Sequence, residues 1–231
     1  MDLRHPERAT FAFARHAALW RAVLPRIAGA DLAHDADHVL RVYRWALRLA
    51  LEAEADADLA GAAALVHDLV NVPKESAERS AGGQRSADAS RALLSEAGYG
   101  DADIDVITGA VARGSWSAAR EPESAVGLVL QDADRLDAIG ALGIARTLSY
   151  AQAIRSRGNT LRLLDPGDPL AAAREHDERS YAVDHFFAKL LRIADGLRLP
   201  SARAEGERRH AEMQRFLDAL ARELSAADTP R

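Results

Sequence analysis

The chain has 231 residues, of which 48% are hydrophobic and 5% aromatic, and its formal net charge at pH 7 is -5. Such a composition can bury a sizeable core and excludes a disordered chain, and the acidic balance argues against a nucleic-acid binder, which would carry a basic face. Cys is absent, so the chain has no disulfide framework, and any metal must be held by imidazole and carboxylate groups. With no apolar run of about 18 residues and no apolar signal core, we expect a cytoplasmic protein outside the membrane.

Helical spacing of apolar residues runs through nearly the whole chain and predicts an all-α fold. The first predicted helix covers residues 8–28. Asp35 or Asp37 is expected to cap a second helix, and Asp56 or Asp58 is expected to start a third.

The rest of the chain reads as helices separated by loops that contain Gly and Pro. Further helices are predicted over 86–97, 101–112, 122–153, 177–195 and 201–224, with loops over 71–84, 114–121 and 155–168. We interpret 1–231 as a single domain with a core at about 30–195, against which the helices 8–28 and 201–224 pack.

Three clusters of His and Asp stand on or beside these apolar helices. They are His34-Asp35-Ala36-Asp37-His38, His67-Asp68, and Gln131-Asp132-Ala133-Asp134-Arg135-Leu136-Asp137-Ala138. A buried carboxylate is costly unless it is paired, hydrogen-bonded or bound to metal, and three such groups that converge make a site for a divalent metal. Spacing alone leaves open which Asp of the third cluster binds, because residues two apart on a helix point in different directions.

The clusters and their order resemble the HD-domain superfamily of metal-dependent phosphohydrolases. Their surroundings are similar to small bacterial stand-alone HD proteins, some of which are nucleotide pyrophosphohydrolases, and the resemblance covers residues 30 to 220. It implies a helical HD bundle that holds one divalent ion (Mn, Mg, Ni, Co or Fe) in its core. The implied ligands are His38, His67, Asp68 and Asp134, of which Asp134 is selected by its Ala-Asp-Arg-Leu context.

The same resemblance implies a small phosphorylated substrate, with a nucleotide as the first expectation. The candidate phosphate contacts are Arg41, Lys74, Arg79 and Arg135, each of which has a structural salt bridge as its alternative role. The candidate catalytic residues are Asp68, Lys74 and Asp137, the last by orienting a ligand or a substrate hydroxyl.

The loop before the third cluster departs from the family. Related proteins carry a His there, whereas this chain reads Arg113-Gly114-Ser115-Trp116-Ser117, which leaves the substrate open. A non-catalytic nucleotide-binding HD module is therefore an alternative. A two-iron HD oxygenase is another, although residues 69–131 contain no His to supply its further ligands. We interpret Trp116 as packing or as a cover over the substrate rather than as a base-stacking platform, and His16 as a surface residue. The sequence leaves the oligomeric state open.

Overall fold

A computed structural model of the protein describes residues 6, 9–29, 32–70, 81–116 and 120–227. These residues are largely helical, and the only β-type pairing among them is an isolated bridge between Arg162 and Tyr181. The prediction of an all-α fold is confirmed. The chain divides into two compact units, Met1–Arg135 and Leu136–Arg231. The interpretation of 1–231 as a single domain stays a prediction.

Among the described residues of the first unit, six α-helices begin, and the last of them ends just beyond the unit's boundary. They are α1 (Ala14–Ile27), α2 (Ala36–Glu52), α3 (Ala57–Val66), α4 (Gly82–Glu96), α5 (Asp101–Ala112) and α6 (Ala125–Asp137). The predicted loop over 71–84 is wrong at its end, because Gly82 and Gly83 form the first residues of α4. A Cβ at Gly83 would lie 3.0 Å from the Val111 carbonyl oxygen, so a residue without a side chain lets α4 approach α5 closely.

Two aspartates cap the N-termini of α2 and α3, the helices that position the first two His/Asp clusters. The Asp35 carboxylate accepts a hydrogen bond of 3.0 Å from the backbone N–H of His38 and so caps α2. The Asp56 carboxylate accepts from the backbone N–H groups of Asp58 and Leu59, at 2.8 and 3.2 Å, and caps α3. In both cases the first of the two aspartates predicted from the sequence supplies the cap.

Helix α3 lies at the centre of the first unit and packs against α1, α2, α4 and α5. Every side chain from Leu59 to Val66 is buried, and five consecutive residues, 60 to 64, are Ala or Gly. Small residues allow neighbouring backbones to approach closely, so α2 and α3 lie side by side. The end of α3 therefore brings the second His/Asp cluster, His67-Asp68, next to α2, which carries His38 of the first cluster.

A buried polar group ties α1 to this pair of helices, so the interpretation of His16 as a surface residue is wrong. The His16 side chain has no exposed area; its Nε2 lies 2.9 Å from the Asp58 carbonyl oxygen and its Nδ1 lies 2.9 Å from the Tyr43 hydroxyl. Because a carbonyl only accepts, Nε2 carries the proton and the Tyr43 hydroxyl donates to Nδ1. Burial lowers the pKa of His16, which favours this neutral form.

The second unit contains the remaining helical segments. They are α7 (Gly140–Ser156), a π-helical turn (Phe186–Leu190), α8 (Leu191–Ile193), a 3₁₀ turn (Ala194–Gly196) and α9 (Pro200–Ala227). The predicted helix over 177–195 begins too early. The Asp177 carboxylate accepts from the backbone N–H groups of Arg179 and Ser180 in a turn, and the helical segment starts only at Asp184.

The single helix predicted over 122–153 is also wrong, because the chain breaks between α6 and α7. Ile139 is extended, with φ -125° and ψ 169°, and Gly140 has φ +77°, a region that glycine enters at low cost. Arg146 donates to the carbonyl oxygen of Asp137 at 2.9 Å and to its carboxylate at 2.8 Å, and Arg209 donates to the Leu136 carbonyl at 2.5 Å. The last carbonyls of α6 thus receive partners from later in the chain.

Within the part of the chain that the structure describes, no helix combines the length and the apolar character needed to cross a membrane. The cytoplasmic location stays a prediction.

Candidate metal centre

His67 directly follows α3 and has its ring fixed by that helix. Its Nδ1 lies 2.8 Å from the Ala64 carbonyl oxygen, which can only accept a hydrogen bond. Nδ1 therefore carries a proton, and in the uncharged form that binds metals the lone pair of the ring lies at Nε2. A backbone carbonyl that fixes the tautomer in this way is the usual second partner of a metal-binding histidine.

The Nε2 atom of His67 faces the other members of the predicted ligand set. It lies 3.2 Å from His38 Nε2, 3.6 Å from Asp68 Oδ2 and 3.8 Å from Asp134 Oδ1. His38, on α2 and only 1% exposed, has its Nε2 at 3.4 Å from Asp68 Oδ2 and 3.6 Å from Asp134 Oδ1. The two imidazole Nε2 atoms thus lie next to each other, and each has a carboxylate oxygen of Asp68 and of Asp134 within 3.8 Å.

These distances suit a divalent metal ion. Donor atoms that share one ion at bonding distance lie about 2.8–3.6 Å apart in tetrahedral or octahedral arrangements, and the five distances fall in or just above that range. His38, His67 and Asp134 each offer a donor atom, with all three atoms within 4.8 Å of one another. Two imidazoles with carboxylates are a donor set for Mn, Fe, Co, Ni or Zn. The residues present therefore fit the metal that the sequence predicts.

Asp68 and Asp134 supply the negative charge of this centre. Burial acts to raise the pKa of Asp68, but His67, His38 and His34 outweigh it and hold that pKa well below its usual range. In the third cluster, Asp134 Oδ1 is directed towards both imidazoles, whereas Asp132 is fully buried. The geometry thus favours Asp134 as the ligand from this helix, in agreement with its sequence context.

The other candidate residues that the structure describes differ in their surroundings. Arg41 is half-buried on α2, one turn after His38, whereas Arg135 is 6% exposed and has its guanidinium carbon 4.9 Å from the centre of the Trp116 ring. Asp137 is 1% exposed and paired with Arg146. Lys74 and Arg79 lie outside the described residues. The roles of all five in binding or catalysis stay predictions.

Sequence reasoning assigned no role to Gln131, which the structure places at the start of the third cluster. Its side chain is 1% exposed, and its amide nitrogen donates to the carbonyl oxygens of Arg113 and Arg120, at 2.8 and 3.0 Å. Its signal in the sequence is an amide on an otherwise apolar face of α6, one turn before Asp134.

The geometry can be compared with known proteins. The HD-domain family model matches residues 35–139, a range that contains His38, His67, Asp68 and Asp134. The chain is 36% identical over 206 residues to the uncharacterized protein YpgQ of Bacillus subtilis, a match that covers 84% of this chain and 86% of YpgQ. The chain belongs to the HD-domain family. HD domains bind divalent metals, and His38, His67 and Asp134 lie close enough together to hold one.

Solved structures agree with this assignment. A protein from Lactobacillus plantarum is 30% identical with a TM-score of 0.74, and the match covers 94% of this chain and all of that one. YpgQ in complex with ADP is 30% identical with a TM-score of 0.66, covering 90% and 97% of the two chains. An HD-superfamily hydrolase from Bacillus thuringiensis is 28% identical with a TM-score of 0.66, covering 92% and 97%. The HD-superfamily hydrolase fold supports a metal-dependent phosphohydrolase.

Proposed function

We propose that this HD protein hydrolyses a phosphoanhydride or phosphoester bond of a nucleotide or similar small molecule, with pyrophosphate release from nucleoside triphosphates as the first activity to test. One observation carries the proposal: the Nε2 atoms of His38 and His67 lie 3.2 Å apart, and each lies 3.4–3.8 Å from a carboxylate oxygen of Asp68 and of Asp134. A divalent ion bound there polarises a phosphoryl oxygen and lowers the pKa of a bound water towards neutrality.

The chain's own residues prepare this point before a substrate arrives. The Ala64 carbonyl accepts the Nδ1 proton of His67 and so directs Nε2 of that ring towards the metal centre. His38 is nearly inaccessible to solvent, so its ring is held in place by packing rather than by water. The side chains of Asp68 and Asp134 are 29% and 33% exposed, which leaves the carboxylate side of the centre accessible to a substrate. Such preorganisation reduces the rearrangement needed when charge develops on a phosphoryl group.

A nucleotide is the substrate class that the comparisons favour. YpgQ, which is 30% identical to this chain over most of its length, has a structure in complex with ADP. Nearby cations would hold the phosphates of such a substrate, and our candidates remain Arg41, Lys74, Arg79 and Arg135. A single ribose separates the base of a nucleotide from its first phosphate, so binding at the metal centre would also bring a base close to α6.

The test combines metal analysis with a substrate screen. Purified protein is loaded with Mn, Mg, Ni, Co or Fe and offered nucleoside tri-, di- and monophosphates, and the products are resolved as phosphate or pyrophosphate. We expect about one metal ion per chain and turnover that His67→Ala and Asp134→Ala each reduce by about a hundredfold or more. His176→Ala, a change at an exposed histidine that stacks on Phe187, is the matched control and leaves turnover unchanged.

Each other outcome points to a different function. Metal binding with nucleotide binding but without turnover of any substrate indicates a non-catalytic nucleotide-binding HD module. Iron at about two ions per chain with consumption of oxygen indicates the oxygenase alternative. Turnover that survives in both His67→Ala and Asp134→Ala means that the chemistry takes place elsewhere in the protein.

A further inference from the structure

The loop between α5 and α6 is fixed to α6 on both sides of Trp116. Gln131 Nε2 uses both of its protons, one on the carbonyl oxygen of Arg113 before the tryptophan and one on that of Arg120 after it. Arg113 also forms an ion pair with Glu123, close to the start of α6. Since Gln131 is almost fully buried, these hydrogen bonds are shielded from water and hold the described ends of the loop against the helix.

The Trp116 ring itself is supported by the residue that follows a metal ligand. The guanidinium carbon of Arg135 lies 4.9 Å from the centre of the ring, at cation–π distance. Arg135 is 6% exposed, whereas Trp116 is half-buried and keeps part of its surface accessible. Asp134 immediately precedes Arg135 on α6, so the residue that supports the ring is the chain neighbour of a predicted metal ligand.

We propose that Trp116 is the residue on which the base of a nucleotide substrate stacks while its phosphates lie at the metal centre. The inference rests on the proposed function. It assigns a binding residue to the base, the part of the nucleotide that the candidate phosphate contacts do not bind. It revises the interpretation of Trp116 as packing, because the structure shows an aromatic ring that is partly exposed, supported by a cation and attached through Arg135 to the turn that carries Asp134.

The way in which the Trp116 ring is held favours base stacking over a role as a simple cover of the substrate. A ring already held by Arg135 and by an anchored loop loses little conformational freedom when a base binds, so more of the stacking energy contributes to affinity. Stacking tolerates every base, because each base has a π face. The protein is therefore expected to bind nucleotides of different bases with similar affinity and to bind phosphate chains without a base more weakly.

The test compares substrates with and without a base. Loaded with Mn, wild-type protein and Trp116→Ala are assayed with ATP and with inorganic tripolyphosphate. Loss of one stacked base is expected to raise KM for ATP about 5- to 150-fold with little change in kcat, and to leave KM for tripolyphosphate unchanged. Trp116→Phe keeps an aromatic face and retains most of the affinity for ATP. Trp45→Ala is the matched control, because it removes another arginine–tryptophan pair, with Arg48 at 5.0 Å, from α2.

A binding measurement separates failure of this inference from failure of the proposed function. ADP is titrated into the Mn-loaded protein while tryptophan fluorescence is followed, with thermal stability and Mn affinity recorded for each variant. Quenching that disappears in Trp116→Phe supports stacking even where no nucleotide is hydrolysed, in which case the proposed function alone fails. Quenching that persists in Trp116→Phe overturns the inference. A rise of KM in Trp116→Ala that is equal for ATP and tripolyphosphate also overturns it, because the base then plays no part.

Discussion

Replacing Gly61 by Ala tests whether the close approach of three helices sets the metal centre. A Cβ built at Gly61 would lie 2.5 Å from His16 Cε1 and 2.9 Å from Tyr43 Cε2, well inside ordinary contact distance. Neither neighbour can turn aside cheaply. His16 is hydrogen-bonded at both ring nitrogens, and Tyr43 also accepts from the backbone N–H of Ala12 at 3.0 Å.

The size of the effect follows from one favourable and two unfavourable contributions to the free energy of unfolding. Ala is favoured over Gly inside a helix by about 1 kcal/mol, whereas overpacking a well-filled core costs about 1–3 kcal/mol, and loss of a His16 hydrogen bond adds about 1 kcal/mol. Overpacking wins, so we expect a net loss of about 1–3 kcal/mol in the free energy of unfolding. For a chain of this length that corresponds to a fall in Tm of about 2–12 °C.

The same strain is expected to reach the metal ligands. Gly61 lies six residues before His67 on α3, and Tyr43 lies five residues after His38 on α2, so forcing these helices apart lengthens the 3.2 Å between the two Nε2 atoms. Metal affinity, measured by calorimetry, should therefore fall together with Tm. The control is Gly109→Ala on α5, where a Cβ meets nothing within 4 Å and Tm should rise slightly. An equal rise in Tm for both variants would refute the packing argument.

Three further predictions concern polar groups that have hydrogen-bonded or ionic partners. Tyr99→Phe removes the hydroxyl that donates to Asp58 at 2.7 Å, and we expect urea unfolding to show a loss of about 1–2 kcal/mol. Asp137→Asn weakens the pair with Arg146 and should cost about 1–3 kcal/mol in the same assay. Hydrogen bonds from two arginines lower the pKa of Glu205 from 4.5 to about 2, so its stabilisation is complete above pH 4.5 and is lost as the pH falls towards 2. Glu205→Gln should therefore reduce the dependence of unfolding free energy on pH in that window.

Each of these predictions has a result that contradicts it. An unchanged unfolding free energy in Tyr99→Phe would mean that the hydroxyl gains nothing from its carboxylate partner. A loss of kcat without loss of stability in Asp137→Asn would favour direct contact of Asp137 with the substrate over its structural pair. Identical pH profiles for wild type and Glu205→Gln would show that the glutamate has the same pKa in the folded and unfolded chains.

The elements that local chemistry determines could be predicted from the sequence. Helix α5 begins and ends at the predicted residues, 101 and 112, and the aspartates named as candidate caps include those that cap α2 and α3. The meeting of His38, His67 and Asp134 follows from their order along the chain through its resemblance to a known family. Spacing alone would not have brought them together, because they come from three separate segments: α2, the end of α3 and α6.

The features that were missed depend on partners far along the chain. The break after α6 is stabilised by Arg209, which lies 73 residues beyond the Leu136 carbonyl that it caps, and no local pattern announces such a partner. His16 is buried because its hydrogen-bond partners come from α2 and α3. Gln131 takes its role from two carbonyls of a loop. In each case a polar side chain looks like an exposed one until the fold supplies the acceptor.

The hydrogen bond from His67 to the Ala64 carbonyl also bears on how this centre tolerates change during evolution. Its acceptor belongs to the main chain, so no substitution of the side chain at position 64 removes it as long as α3 keeps its course. The orientation of the His67 ring thus depends on the backbone of α3 and not on the identity of a neighbouring side chain. Sequences can diverge around His67 and still present the same nitrogen to a metal, whereas a shift in the end of α3 by a single residue would disrupt it.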